Sequence, residues 1–201
     1  MPQLPPVTKA LMLFCTAMFC AQQLAGPAME FLLALWPLGS GRFLPWQVLT
    51  YAFLHGDTLH LFFNMFGLWM FGSEIELVWG CKRYTHFLLA STVSGAIAQL
   101  LVSMLLGTFN PTLGASGALF GLLLAFGMLF PERTIMPLFP PIPMKAKVFV
   151  AIFGGLELLF GLLSPRGGVA HFAHLGGMLG GWLMIRFWRG QPPFPPRQRR
   201  R

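Results

Sequence analysis

Six long apolar runs, separated by glycines, prolines and basic residues, restrict this 201-residue chain to helices packed within a bilayer. A backbone crossing hydrocarbon must pair its own N–H and C=O groups, and a helix of about 20 apolar residues does this across about 30 Å. The runs are Val7 to Leu24, Leu59 to Trp79, Tyr84 to Leu106, Ala115 to Phe130, Lys147 to Leu163 and His171 to Trp188. Pro131, Pro137, Pro140, Pro141 and Pro143 lie between the fourth and fifth, which predicts a helical hairpin rather than one helix. Composition agrees, with 55% hydrophobic and 10% charged residues and a mean hydropathy of +0.66, against about 25% charged residues in a soluble domain. The expectation is an all-α membrane protein: a six-transmembrane helical bundle, one domain over residues 1–190, with a Pro- and Arg-rich cytoplasmic tail at 191–201.

The segment Gly26 to Thr58 behaves differently. Its apolar piece, Met29 to Leu38, is too short to span and is bounded by Pro27, Pro37, Gly39 and Gly41. It reads as a long structured first loop lying in the interface, with Trp36, Trp46 and Tyr51 at headgroup level. Cys15, Cys20 and Cys81 show neither a disulfide framework nor metal-ligand spacing and read as free thiols. Val7 to Leu24 is read as a retained span, because no clear small-x-small cleavage site follows Gln22-Gln23.

The net charge of +8 reports topology rather than nucleic-acid binding, since the basic residues cluster at the ends of apolar runs. With the N-terminus in the cytoplasm, the inner side receives all of the 14 lysines and arginines except Arg42 and Arg166. The positive-inside rule therefore places both termini in the cytoplasm. Spans two, four and six then run from outside to inside, so their first residues share one depth. Those residues include His60 and Asn64, Ser116, and His171 and His174.

Polar groups at membrane depth are costly and mark functional sites. His60 and Asn64, at i and i+4, share one helix face, as do His171 and His174 at i and i+3. Gly114, Gly117 and Gly121 in span four, and Gly177 and Gly181 in span six, permit close backbone approach. Each feature alone has a packing explanation; their convergence at one depth points to a site.

The chemistry that suits the site is acyl transfer. Ser116 becomes a nucleophile if a neutral imidazole takes its proton, and its place in the first turn of a helix favours negative charge there. Its backbone N–H, with donors from His60 and Asn64, supplies an oxyanion site. Asp57, the sole aspartate, lies on the His60 side, so the expectation is a Ser-His dyad with no third member. Glu74, Glu76 and Glu157 are read as lying at other depths than the histidines, with Glu74 and Glu76 facing Lys82, Arg83 or polar groups of the bundle. Gly114-Ala115-Ser116-Gly117 is GxSG; Ala118 rules out the GxSxG elbow of soluble hydrolases.

These elements resemble the rhomboid family of intramembrane serine proteases, in its bacterial six-helix form. The matching motifs are His60-Leu-Phe-Phe-Asn64 (HxxxN), Gly114-Ala-Ser116-Gly117 (GxSG), and His174 with Gly177 and Gly181 in the sixth span. The resemblance implies that Ser116 is the nucleophile, His174 the general base and His60 and Asn64 the oxyanion-stabilising side chains, with Gly117 in the nucleophile turn. It also implies that Phe120, where many rhomboids have Tyr, stacks on His174, and that His171 neighbours the site. Trp46-Gln47 is similar to a Trp-Arg pair of the family's first loop, with Gln in place of Arg.

Implied too are transmembrane protein substrates cut near the outer leaflet, contact with membrane lipid, and no metal, small-molecule cofactor or nucleic-acid partner. The location implied is a bacterial inner (plasma) membrane, with the site opening to the periplasmic side. Ser94, Gln99 and Asn110 are candidates for a water route. The alternatives are a catalytically silent rhomboid-like client-binding protein and a His-lined channel or transporter, against which no inverted repeat is evident.

Overall fold

The first helix starts without a side-chain cap of its own, and the way the chain solves this ties its beginning to its middle. In the computed structural model, which describes residues 4–138, 140–164 and 170–195, α1 (Pro6–Ala25) opens on a proline, and no side chain at Pro5 caps it. Glu76 does so instead: its carboxylate accepts hydrogen bonds from Val7 N (2.9 Å), Thr8 N (2.7 Å) and Thr8 Oγ1 (2.8 Å). The charge is satisfied although Glu76 is buried. Glu76 thus meets polar groups of the bundle rather than Lys82 or Arg83. Glu74 pairs with Arg133.

The first loop contains α2 (Pro27–Leu33), a 3-10 turn at Leu38–Ser40, α3 (Gln47–Thr50) and a second 3-10 turn at Tyr51–Phe53. Gln47 is fully buried and organises this loop through its amide. Its Oε1 accepts from Trp36 N and Leu44 N, and its Nε2 donates to the carbonyls of Phe31, Leu32 and Arg42. Anchoring here needs no arginine. The expectation for Tyr51 is corrected: it is 1% exposed, not interfacial, and its hydroxyl donates to Thr92 O at 2.9 Å. Trp46 is half exposed.

Next come α4 (Thr58–Gly67), one π-helical stretch (Leu68–Gly72) and α5 (Ser73–Leu106). Gly80, at φ 74° and ψ 161°, breaks α5 and turns the chain back with no intervening loop. A side chain strains at that φ, whereas glycine does not. Then follow α6 (Ser116–Leu129), α7 (Ala146–Leu163) and α8 (His171–Arg189). By length and composition Pro6–Ala25, Thr58–Leu106 and Ala146–Leu163 can cross a membrane, and Ser116–Leu129 is a shorter apolar helix. The chain is a mostly helical membrane protein with several spans.

The α6–α7 link departs from a purely helical expectation. It carries a two-residue antiparallel ladder, β1 (Thr134–Ile135) with β2 (Met144–Lys145), in which Thr134 faces Lys145 and Ile135 faces Met144. Exposed Glu132 contacts both Lys145 and Lys147, and these lysines hold its carboxyl down to about 2. A depressed carboxylate contributes above its ordinary range, so this clasp is present at neutral pH and is lost only as pH falls towards 2. Arg166 and Arg197, Arg199, Arg200 and Arg201 lie outside the described residues.

At the centre, α8 is wedged between α5 and α6. A Cβ on Gly177 falls 1.9 Å from the Gly117 carbonyl oxygen; on Gly121, 2.3 Å from Ser91 Oγ; on Gly181, 2.7 Å from the Phe87 ring. Gly176 and Gly180 make the equivalent approach on the other face, 2.5 Å from Ala98 Cβ and 2.4 Å from Ser94 Cβ. A wide belt of exposed apolar side chains surrounds this centre, among them Leu13, Phe62, Leu101, Ile152 and Leu159. Gly177→Ala is expected to force α6 and α8 apart and destabilise the protein by about 1–3 kcal/mol. Gly155→Ala, whose Cβ meets nothing within 4 Å, is expected to be neutral or slightly stabilising. Thermal unfolding of the two variants in detergent checks both.

Candidate active site

Asp57 sets the start of α4. It is the N-cap, and its Oδ1 accepts from His60 N at 2.8 Å. This phasing places His60 and Asn64 one above the other on α4. The His60 ring Nδ1 accepts from Gly56 N–H at 3.4 Å, which leaves the ring proton on Nε2 as a donor. Asn64 is buried, and its Nδ2 donates to His60 O at 2.8 Å.

Gly114 makes room for this ring. Its φ is 127°, and a Cβ there falls 2.7 Å from His60 Cε1 and 2.8 Å from His60 Nε2. Its N–H donates to Tyr51 O at 2.9 Å, so the buried first-loop tyrosine also holds the approach to α6. The Leu35–Thr112 bridge, with two 2.9 Å hydrogen bonds, fixes the same segment from its other side. Ser116 is the first residue of α6, where first-turn N–H groups lack intrahelical acceptors.

Ser116 Oγ lies 2.7 Å from His174 Nε2. The His174 ring is covered by Phe120, with centroids 4.4 Å apart and planes 7° from parallel. Gly117, one residue after the serine, packs against Ala173 O and Tyr51 Oη, where a Cβ falls at 3.4 and 3.3 Å. Gly177 and Gly181 carry the α8 approach. His60, Asn64, Ser116, Phe120, His171 and His174 line one cleft of about 630 Å³. Gln99 and Asn110 line it too; Ser94 instead sits in the α5–α8 contact.

Two residues that the sequence reading left out of the site belong to this region. His55 is buried edge-on to His60, with centroids 5.3 Å apart. Burial, helped by its neighbour His60, lowers its pKa to about 4, so it is neutral at physiological pH. Only its closeness to the HxxxN histidine in sequence could have flagged it.

The second residue, Glu157, overturns the expectation that it lies at another depth than the histidines. Its Oε2 is 2.7 Å from His171 Nδ1 and 2.8 Å from His174 Nδ1. Glu157 is six residues from the end of α7 and His174 three from the start of α8. At 1.5 Å per residue that is about 4.5 Å in depth, within reach of a glutamate side chain. These three residues are also a cluster able to hold a metal ion, with ligand atoms within 4.8 Å of one another.

A serine hydrogen-bonded to a stacked imidazole, facing fixed N–H donors across a cleft, is equipped for acyl transfer. Comparison with known proteins points the same way. The family model described as "Rhomboid domain" matches residues 42–190. "Rhomboid protein 1, mitochondrial" of Saccharomyces cerevisiae (strain ATCC 204508 / S288c) is 34% identical over 140 residues, 68% of this chain and 40% of that protein. "Rhomboid protease GlpG" of Yersinia pestis (strain Pestoides F) and of Yersinia pseudotuberculosis serotype O:3 (strain YPIII) are each 30% identical over 187 residues. That match covers 92% of this chain and 63% of each relative, so the chain spans less than two thirds of the length of these relatives. With the family model matching well over half of its residues, this chain belongs to the rhomboid protease family.

Proposed function

We propose that this protein is an intramembrane serine endopeptidase that cleaves transmembrane segments of other membrane proteins near the outer leaflet. The observation that carries this reading is the 2.7 Å contact of Ser116 Oγ with His174 Nε2, in a cleft cut into an apolar bundle. His174 takes the Ser116 proton as Oγ attacks the scissile carbonyl, and the carbonyl electron pair moves onto oxygen. The Ser116 N–H, His60 Nε2–H and Asn64 Nδ2–H receive that oxyanion. His174 then returns the proton to the leaving amine, and water releases the acyl group by the same route reversed. Phe120 keeps the imidazole in its plane throughout.

Six spans are the reading for residues 1–190 as one domain, with the helices on either side of Gly80 counted separately and both termini cytoplasmic. The basic residues support it, as does the position of Ser116, His60 and His174 at the starts of the alternate helices α6, α4 and α8. A recessed serine cannot reach a carbonyl in an intact helix, so substrates with Gly, Pro or small residues near the outer end of their span are favoured.

Labelling by a serine-reactive fluorophosphonate in detergent tests the reading: the wild type is expected to label, and Ser116→Ala and His174→Ala to lose the label. Equal labelling of all three overturns it. Proton flux through liposomes that survives Ser116→Ala favours a transporter. A wild type that binds transmembrane helices but neither labels nor cuts favours a client-binding protein.

His60→Ala and Asn64→Ala should each slow cleavage of a transmembrane substrate in liposomes by about 10²-fold, with little change in unfolding temperature. Phe120→Tyr should keep most activity and Phe120→Ala lose more of it, because only an aromatic ring holds the His174 plane; initial cleavage rates compare the two.

A further inference from the structure

We propose that Glu157 is a positioning residue for His174, holding its imidazole and stabilising it once protonated, and that His171 in turn holds Glu157. This rests on the reading of Ser116 and His174 as nucleophile and base. The three side chains come from two helices, α7 and α8, and all are largely buried, with 13% exposure for His171, 10% for His174 and 15% for Glu157. A carboxylate at membrane depth is costly unless paired. Here its contacts are two imidazoles, each presenting Nδ1 to the same oxygen.

The tautomers follow from the hydrogen bonds. Because Ser116 O–H donates to His174 Nε2, the resting proton of that ring is on Nδ1, towards the carboxylate. The carboxylate oxygen lies off the Nδ1–H direction, so at rest the 2.8 Å contact is electrostatic rather than an aligned hydrogen bond. His171 Nδ1 makes the hydrogen bond that fixes the carboxylate, at 2.7 Å. During attack the Ser116 proton moves to His174 Nε2, the Oγ–C bond forms, and the imidazolium stands beside an ionised carboxylate in a low dielectric. Glu157 neither gains nor loses a proton.

A metal bridge is a poorer account of the same cluster. Two ligands of one tetrahedral zinc sit about 3.3 Å apart, given metal–ligand bonds of about 2.0–2.1 Å. Separations of 2.7 and 2.8 Å are those of direct contacts. Among the described residues, the other titratable group facing His174 is His60 on α4, across the cleft. The sequence of α6 has no titratable side chain, and those of α5 lie between Glu74 and His86, towards its start.

The test is the rate of fluorophosphonate labelling of the full chain in detergent from pH 4 to 9, with Ser116→Ala as the zero. Removing the negative charge withdraws stabilisation from the protonated His174 ring. Glu157→Gln is therefore expected to label about 100-fold more slowly on the plateau, with the acid limb moved down by about one pH unit. Glu157→Asp and His171→Asn should fall between it and the wild type. A wild-type rate and limb in Glu157→Gln overturns the proposal, as does an equal loss in Glu157→Gln and Glu157→Asp with the limb unmoved, the signature of packing alone. If Glu157→Gln lacks a cooperative melting transition, the other two variants are read by their limbs, and an unmoved limb in both overturns it. Labelling abolished by EDTA and restored by zinc overturns it in favour of a metal site; indifference to EDTA supports it. Absence of label in the wild type defeats the protease reading, and this one with it.

Discussion

The approach of Gly177 to the Gly117 carbonyl, where there is no room for even a methyl group, is the contact on which the rest of the molecule depends. In lipid, no hydrophobic drive brings helices together, so backbone proximity and dispersion must do it. Each glycine costs its helix about 1 kcal/mol relative to alanine. Gly117, Gly121, Gly176, Gly177, Gly180 and Gly181 offset this by bringing α8 into contact with α5 and α6 on two faces. Ser116 immediately precedes one of these glycines, and His174 is one turn before Gly177. Their 2.7 Å separation is therefore set by backbone packing rather than by the reach of flexible side chains.

Buried polar groups supply the second layer of order, and most of them join segments far apart in the chain. Glu76 caps α1 across 68 or 69 positions, and Tyr51 Oη reaches Thr92 across 41. A lost partner leaves a charge or a carbonyl unpaired in a dry interior, so each such bond specifies the register of two elements as well as holding them together. Tyr51 serves the site twice. Its carbonyl holds Gly114, and its hydroxyl lies against Gly117 and Gly95. The first loop is in this sense part of the scaffold of the serine turn.

Local signals made much of this legible in the sequence. Helix limits follow from hydropathy and breakers, so the first apolar run, Val7 to Leu24, appears as Pro6–Ala25 and the sixth begins at His171 as read. The grouping of His60, Asn64, Ser116 and His174 follows from segment order alone, because alternate spans start on the same side. Besides His55, three features escaped. Tyr51 has the composition of a headgroup anchor, and only its neighbours make it core. Gln47 reads as a departure from an expected arginine, yet an amide with both donors and an acceptor suits a knot of backbone groups better than a guanidinium, which only donates. Glu157 sits deeper along α7 than His174 does along α8, and only the length of its side chain closes that difference.

The same glutamate bears on how α7 is held. Its buried residues are confined to Ala146, Phe149 and Val150 near its start and Gly161 near its end, while Val148, Ile152, Leu156 and Leu159 are exposed. Near the start, Val150 packs where Gly127 leaves space, and the β1–β2 ladder with its charged clasp reinforces the junction. Towards the other end apolar packing is thin, with Gly161 against His171 and Phe172, and the contact of Glu157 with His171 and His174 is the polar tie to α8. The charge that faces the imidazole therefore also holds the helix that carries it, so any displacement of α7 from α8 changes the electrostatic environment of His174.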